Sequence, residues 1–244
     1  MPELSLQLYT VREALSADFD GALGAIAAMG FTQVEPFRLL DFGDELRTGL
    51  PRHGLSAPTT HMSLQGGDQD ETFALARELG IETVIDPYVH PERWQAEADI
   101  VQIAEELNAA ALQAASHGLR VGYHNHHFEL ESRIDGQHAL EVLVGHLAPE
   151  VVLEVDTYWA YAGGADVPAL LQRLGDRVVA LHVKDGDGSL DAKRQVAVGS
   201  GTLPVWEILG AANDAIRVIE LDDTEGDMLR AVSRSREFLL AGGR

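Results

Sequence analysis

The chain has 244 residues, 45% of them apolar, which suffices for one barrel-sized α/β domain with a substantial core. Its 39 acidic and 18 basic side chains give a formal net charge of −21, which disfavours nucleic-acid backbones and anionic membranes as partners. There is no cysteine, so disulfides, thiolate metal sites and cysteine nucleophiles are excluded.

Met1 to Thr10 lack the basic and apolar regions of a secretory signal. No apolar run approaches the ~20 residues that span a bilayer. A cytoplasmic protein is the expectation. The first strand is expected over Leu4–Tyr9, followed by a helix with Phe19, Leu23, Ile26 and Ala27 on one face. A phrase then recurs: helix, glycine, apolar residue, short β-rich run. Gly30 precedes a strand expected over Thr32–Pro36, Gly54 one over Leu55–Met62, and Gly80 one over Thr83–Asp86. A helix with Ile100, Ile103, Ala104, Leu107 and Ala111 on one face leads to Gly118 and a strand over Arg120–His124. Strands over Val151–Asp156, Val178–Lys184 (after Gly175) and Ile216–Leu221 follow, and Met228, Val232 and Leu239 mark a closing helix. A glycine just past a helix adopts positive φ cheaply and turns the chain into the next strand. Eight such units, each of about 30 residues, predict an α/β fold, a parallel eight-stranded (β/α)8 TIM barrel, as a single domain over residues 1–244. A doubly wound open sheet is the alternative.

In parallel α/β folds the site forms at the carboxyl ends of the strands. Here those ends read Glu35, His61, Asp86, His124 with His126, Asp156, His182 with Lys184, and Glu220 with Asp222. Glu154 and Asp156 lie two apart in an apolar strand and so share a face, as do His182 and Lys184, and Glu220 and Asp222. Carboxylates aimed into a barrel need a cation or strong donors. Asp, His and Glu from neighbouring strands make a nitrogen and oxygen site suited to Mn²⁺, Mg²⁺, Co²⁺ or Zn²⁺. Lys184 either meets a substrate oxygen or forms an ion pair with Asp156 or Glu154. Gly199, Ser200 and Gly201 lack the spacing of a dinucleotide fingerprint and are read as a loop covering the site after the seventh strand.

These segments resemble the xylose isomerase-like barrels, in the sugar phosphate isomerase/epimerase branch. The likeness rests on Leu6 to Thr10, Gly30 to Glu35, Tyr123 to His126, Glu154 to Trp159, His182 to Asp185, Gly199 to Gly201 and Glu220 to Asp222. It implies a metal held by Glu, Asp, His and Glu on strands five to eight. Asp156, His182 and Glu220 match the last three positions, while His124 stands where the first glutamate is expected. His124 then either ligates or acts as a base, or Glu154 supplies the missing carboxylate. Trp159 stands where epimerase relatives often carry a second histidine, and it either walls a sugar ring or packs in the core.

The implied activity is a divalent-metal-dependent isomerase or epimerase of a small sugar or keto-sugar. It would work by proton abstraction next to a carbonyl through a metal-stabilised enediolate. Glu220 is the leading acid/base, with Glu154, His124 and Lys184 as further catalytic candidates. Glu35, His61, His126 and Trp159 are the substrate-binding candidates. Loss of one glutamate favours a second outcome, a dehydratase or lyase on a keto-inositol or 3-keto-glycoside. A non-catalytic sugar-binding barrel is a third reading, and an endonuclease IV-like hydrolase would want a cationic groove. A small carbohydrate is the expected partner, with no nucleic acid or membrane, and the assembly is left open to a homodimer.

Overall fold

A computed structural model of the chain describes residues 4–242. Its strands are β1 (Leu4–Gln7), β2 (Gln33–Glu35), β3 (Thr59–His61), β4 (Thr83–Asp86) and β5 (Arg120–His124). They continue with β6 (Arg133–Ile134), β7 (Gln137–His138), β8 (Val152–Asp156), β9 (Val178–Val183) and β10 (Ile216–Ile219). All but β6 and β7, which form a separate antiparallel pair, join one parallel sheet in the order β2-β1-β10-β9-β8-β5-β4-β3. The two ends of that order meet through single bridges, Gln33 with Ser56 and Phe37 with His61. The result is a nearly closed TIM barrel of eight parallel strands with helices outside.

The glycine phrases work as the sequence implies. Gly54 ends the helix Gly43–His53 at φ 66°, and Gly118 follows the helix Glu97–Ser116 at φ 75°. That long helix buries Ile100, Ile103, Ala104 and Leu107, and the closing helix Met228–Ala241 buries Val232 and Leu239. Two strands are shorter than expected, for local reasons. The Gln7 side chain accepts the Tyr9 backbone N–H at 3.0 Å, so Leu8–Val11 wind into a 3-10 turn instead of extending β1. Pro58 has no N–H for a ladder, so β3 starts at Thr59 and Ser56 contributes only its bridge.

Strand alternation divides the interior. Leu6, Val34, Val84, Val121, Leu153, Val155, Leu181 and Val183 face the helices and belong to the main apolar core. The opposite set fills the barrel itself. Ile85, Val152, Ala180 and Val218 form its lower layers, while Gln7, Glu35, His61, His124, Glu154 and His182 crowd the layers toward the carboxyl ends. A TIM barrel is usually packed with branched apolar residues. Here the upper barrel is buried and polar, and its groups must satisfy one another.

Beyond β9, the Asp185 carboxylate accepts the backbone N–H groups of Gly186, Gly199, Gly201 and Leu203 at 2.9, 2.9, 3.0 and 3.1 Å. A Cβ at Gly201 would lie 2.2 Å from that carboxylate, which explains the glycine. The expected covering loop therefore wraps Asp185, and Gly199, Ser200 and Gly201 stand outside the lining of the cavity at the strand ends. Replacing Asp185 with Ala should cost more than the ~1.5–3 kcal/mol of a single hydrogen bond to a charged group. Urea unfolding of Asp185→Ala beside the parent chain measures this, and an unchanged midpoint would contradict the role.

Candidate active site

A cavity of about 760 Å³ opens at the carboxyl ends of the strands. His61, His124, His126, Glu220 and Asp222 border its inner end, while Tyr9, Phe37, Phe42 and Tyr88, with Arg12 and Arg38, line the remainder. Behind this lining Glu35, Glu154, Asp156, His182 and Lys184 are buried almost completely.

Glu154, on β8, is the hub of the buried layer. Its Oε2 lies 2.6 Å from His61 Nε2, 3.1 Å from His124 Nδ1 and 3.1 Å from His182 Nε2. Glu35 is held by the Gln7 side-chain amide at 2.7 Å and by the Thr59 hydroxyl, and it meets His182 Nε2 at 2.7 Å. The other His182 nitrogen, Nδ1, lies 2.6 Å from Glu220 Oε2. The imidazoles of His61 and His182 stack at 5.1 Å, and that of His124 stands edge-on to His182 at 4.6 Å.

Electrostatics follow from this packing. Burial raises the Glu154 carboxyl, but the charges of His182 and His61 outweigh it and hold it well below the usual carboxylate range. Burial likewise opposes ionisation of Glu220, and the Lys184 and His182 charges override it. Burial opposes charge on His182, and Glu154 and Glu220 reverse the effect, so the imidazolium is strongly favoured. Burial dominates at His124 and, reinforced by the His182 charge, keeps it neutral well below the ordinary histidine value. With Nδ1 donating to Glu154, neutral His124 keeps a lone pair on Nε2, 3.8 Å from Asp156 Oδ2. Burial raises Asp156 to about 6 against the pull of Lys184 and His182.

Four donors from four strand ends converge. One atom from each of His124, Asp156, His182 and Glu220 lies within 4.8 Å of the others, and His61, His124, Glu154 and His182 form an overlapping second set. Glu154 Oε1 and Asp156 Oδ2 are buried and make no aligned hydrogen bond among the described residues. Hard carboxylate oxygens beside imidazole nitrogens, one of them (Glu154 Oε1) left without a donor, fit a divalent cation. Lys184 Nζ also reaches this group, 2.8 Å from Asp156 Oδ2, 2.7 Å from Glu220 Oε2 and 2.6 Å from Asp222 Oδ2.

The site residues expected from sequence are thus largely brought together, with two exceptions in placement. Glu35 is behind the lining, where it braces His182 and His61. Trp159 is buried and outside the cavity lining, its ring 5.5 Å from Lys184 Nζ and packed on Tyr158 and His127. Lys184 pairs with Asp156, one of its two expected partners, and also with Glu220 and Asp222. Asp86, at its strand end, accepts the backbone N–H groups of Leu64 and Tyr88 at 2.9 and 3.0 Å. The sequence gives no sign of the aromatic lining, whose four members Tyr9, Phe37, Phe42 and Tyr88 come from three segments, those after β1, β2 and β4. Gln7 had a signal, a polar residue at an inward position of an apolar strand.

Such a barrel, with a histidine and carboxylate centre at its open end, belongs to the class of parallel α/β barrels whose chemistry sits at the strand ends. The xylose isomerase-like TIM barrel model matches residues 23–238, and the chain belongs to that family. No curated protein matches the chain in sequence. A sugar phosphate isomerase/epimerase from Parabacteroides distasonis ATCC 8503 has a similar structure, with TM-score 0.83 and 22% identity over 99% of this chain and 94% of its own. The IOLI protein with a binding zinc atom has TM-score 0.74 at 15% identity, covering 98% and 97%. The probable 3-DHS dehydratase AsbF from Bacillus anthracis, involved in petrobactin synthesis, has TM-score 0.76 at 15% identity, covering 99% and 100%. At these identities the likeness establishes the fold. No described helix is long and apolar enough to cross a membrane.

Glu129 supports the site from outside. It accepts the Tyr123 hydroxyl at 2.6 Å and the His126 backbone N–H at 2.9 Å, while the His126 ring stacks on Phe128. Burial raises its carboxyl from 4.5 to about 8, against those hydrogen bonds. A value raised on folding stabilises fully below about 4.5, and that stability is lost as pH climbs through about 8. Denaturant unfolding at pH 5 and pH 8.5 should show Glu129→Gln losing less stability across this interval than the parent, by about 1–4 kcal/mol. Parallel pH profiles would contradict the assignment.

Proposed function

We propose that this chain is a divalent-metal-dependent isomerase or epimerase of a small keto-sugar, acting by removal of the proton next to a carbonyl. The observation that carries this reading is the convergence of Asp156, His182, Glu220 and His124 under the cavity. Those four side chains would hold the ion, which when bound would stabilise negative charge growing on a carbonyl oxygen. Glu220 borders the cavity and is kept ionised by Lys184 and His182, so it is the carboxylate placed to take the proton. The neutral His124 imidazole, with its free Nε2, is a ligand or a second proton acceptor. His61 and His126 face the cavity and would bind hydroxyls. Glu154 and Glu35 lie deeper and orient the imidazoles, so both are positioning residues. Trp159 shields the Lys184 ammonium. A carbohydrate partner and a cytoplasmic location belong to the same proposal.

A dehydratase or lyase acting on a keto-inositol or 3-keto-glycoside is the second reading. It is favoured by His124 at the fifth strand end, which leaves the carboxylates at the inner end of the cavity, Glu220 and Asp222, both on one side, just past β10. Elimination needs a proton taken from one face only, whereas epimerisation needs delivery to the other.

The deciding experiment incubates the protein with keto-sugars and keto-inositols in D₂O, with Mn²⁺, Mg²⁺, Co²⁺ or Zn²⁺ supplied in turn. Deuterium next to the carbonyl in a rearranged product supports the first reading, and loss of water or of a glycosidic group supports the second. A sugar that binds without any exchange would make the chain a binding barrel and sink both. Asp156→Ala and His182→Ala should lose metal on gel filtration while keeping the parent circular dichroism. Glu220→Gln should lower turnover by ~10²–10⁴-fold, the usual contribution of a general base.

A further inference from the structure

Lys184 reaches the site from just past β9, on the same face as His182 and two residues beyond it. Its side chain is 1% exposed, so the ammonium cannot relieve its burial by reaching water. Three carboxylates surround it instead: Asp156 at 2.8 Å, Glu220 at 2.7 Å and Asp222 at 2.6 Å. The first two are members of the four-residue donor group described above. The ammonium therefore occupies the same Asp156 and Glu220 carboxylates that a divalent ion would require. Two cations crowded on two shared carboxylates in a buried, poorly screened place repel each other strongly.

The third carboxylate differs. Asp222 is outside the donor group and its side chain is 25% exposed. Gln195 clamps it twice: its amide donates to Asp222 Oδ2 at 2.8 Å, and its carbonyl accepts the Asp222 backbone N–H at 2.8 Å. A compact charge on a flexible four-carbon stem can lean from two carboxylates onto a third, whereas a rigid guanidinium fork would bridge them permanently. The chain carries only two lysines, Lys184 and Lys193, against sixteen arginines.

We propose that the Lys184 ammonium and a divalent ion are alternative occupants of the Asp156–Glu220 carboxylate pair, and that Asp222, clamped by Gln195, is the berth to which the ammonium withdraws when the ion enters. This rests on the metal-dependent reading above. It makes Lys184 a device that keeps the carboxylates paired until an ion arrives and sets how tightly that ion is held. It also assigns Asp222 and Lys184 opposite effects on the same affinity.

The test uses the full chain labelled with ¹⁵N-lysine, in which two side-chain ammonium signals are expected. Titration with Zn²⁺, a diamagnetic ion, should move the Lys184 signal and leave that of Lys193. Calorimetry should find Zn²⁺ bound about tenfold or more tighter by Lys184→Met, which removes the competing charge, and about tenfold or more weaker by Asp222→Asn, which removes the berth. If Lys184→Met folds only when Zn²⁺ is added, that dependence also supports the proposal, and Asp222→Asn supplies the affinity comparison. Zn²⁺ binding that leaves the Lys184 signal unmoved, or that Lys184→Met does not tighten, overturns the proposal while the metal reading stands. No Zn²⁺ uptake by the parent or by either variant overturns both.

Discussion

Charge balance inside the barrel is the constraint on which the rest depends. Glu35, Glu154, Asp156 and Glu220 are removed from water within one small volume. Isolated buried carboxylates are prohibitively costly, so each must be neutralised, hydrogen-bonded or paired. The chain answers with His61, His182 and Lys184 as partners, and with neutral donors from Gln7, Thr59 and His124. Removing one member leaves its partners uncompensated, so the cluster is expected to respond as a unit and single substitutions there will not add. The same arrangement poises one imidazole neutral and another charged within 4.6 Å, which a solvent-exposed cluster could not sustain.

The framework was legible because it is written locally. β4 and β5 have the bounds that hydrophobic patterning assigns, and the glycine phrases mark the turns into strands. Strand parity sufficed to aim Glu154, Asp156, His182 and Glu220 into the barrel, since a period of two needs no knowledge of neighbours. What escaped depends on meetings between distant positions. The Glu35–His182 contact joins residues 147 apart in sequence, and the Lys184–Asp222 contact joins residues 38 apart. Sequence offered Asp156 or Glu154 as the lysine's partner, and parity alone cannot say that Glu154 is already surrounded by imidazoles.

Two misplacements share one cause. The 199–201 loop and Trp159 both sit near the strand ends in sequence, and adjacency suggested that they face the substrate space. The Asp185 carboxylate draws the loop aside by collecting four backbone amides. Asp156 Oδ1 accepts the Trp159 backbone N–H at 2.9 Å, starting the helix Thr157–Ala162 and turning the indole toward Tyr158. A carboxylate at a strand end thus either serves the chemistry or shapes the chain around it. Asp156 does both with its two oxygens.

The seam between β2 and β3 gives the barrel an uneven stiffness. Asp156, His182 and Glu220 hang from the paired strands β5, β8, β9 and β10, where bending would break rows of main-chain bonds. Phe37 and Met62 flank the one join made of isolated bridges, and both line the entrance. Resistance to deformation is therefore greatest where donor atoms must keep their spacing and least where an arriving molecule must be let through. Compliance at the doorway costs the centre none of its alignment.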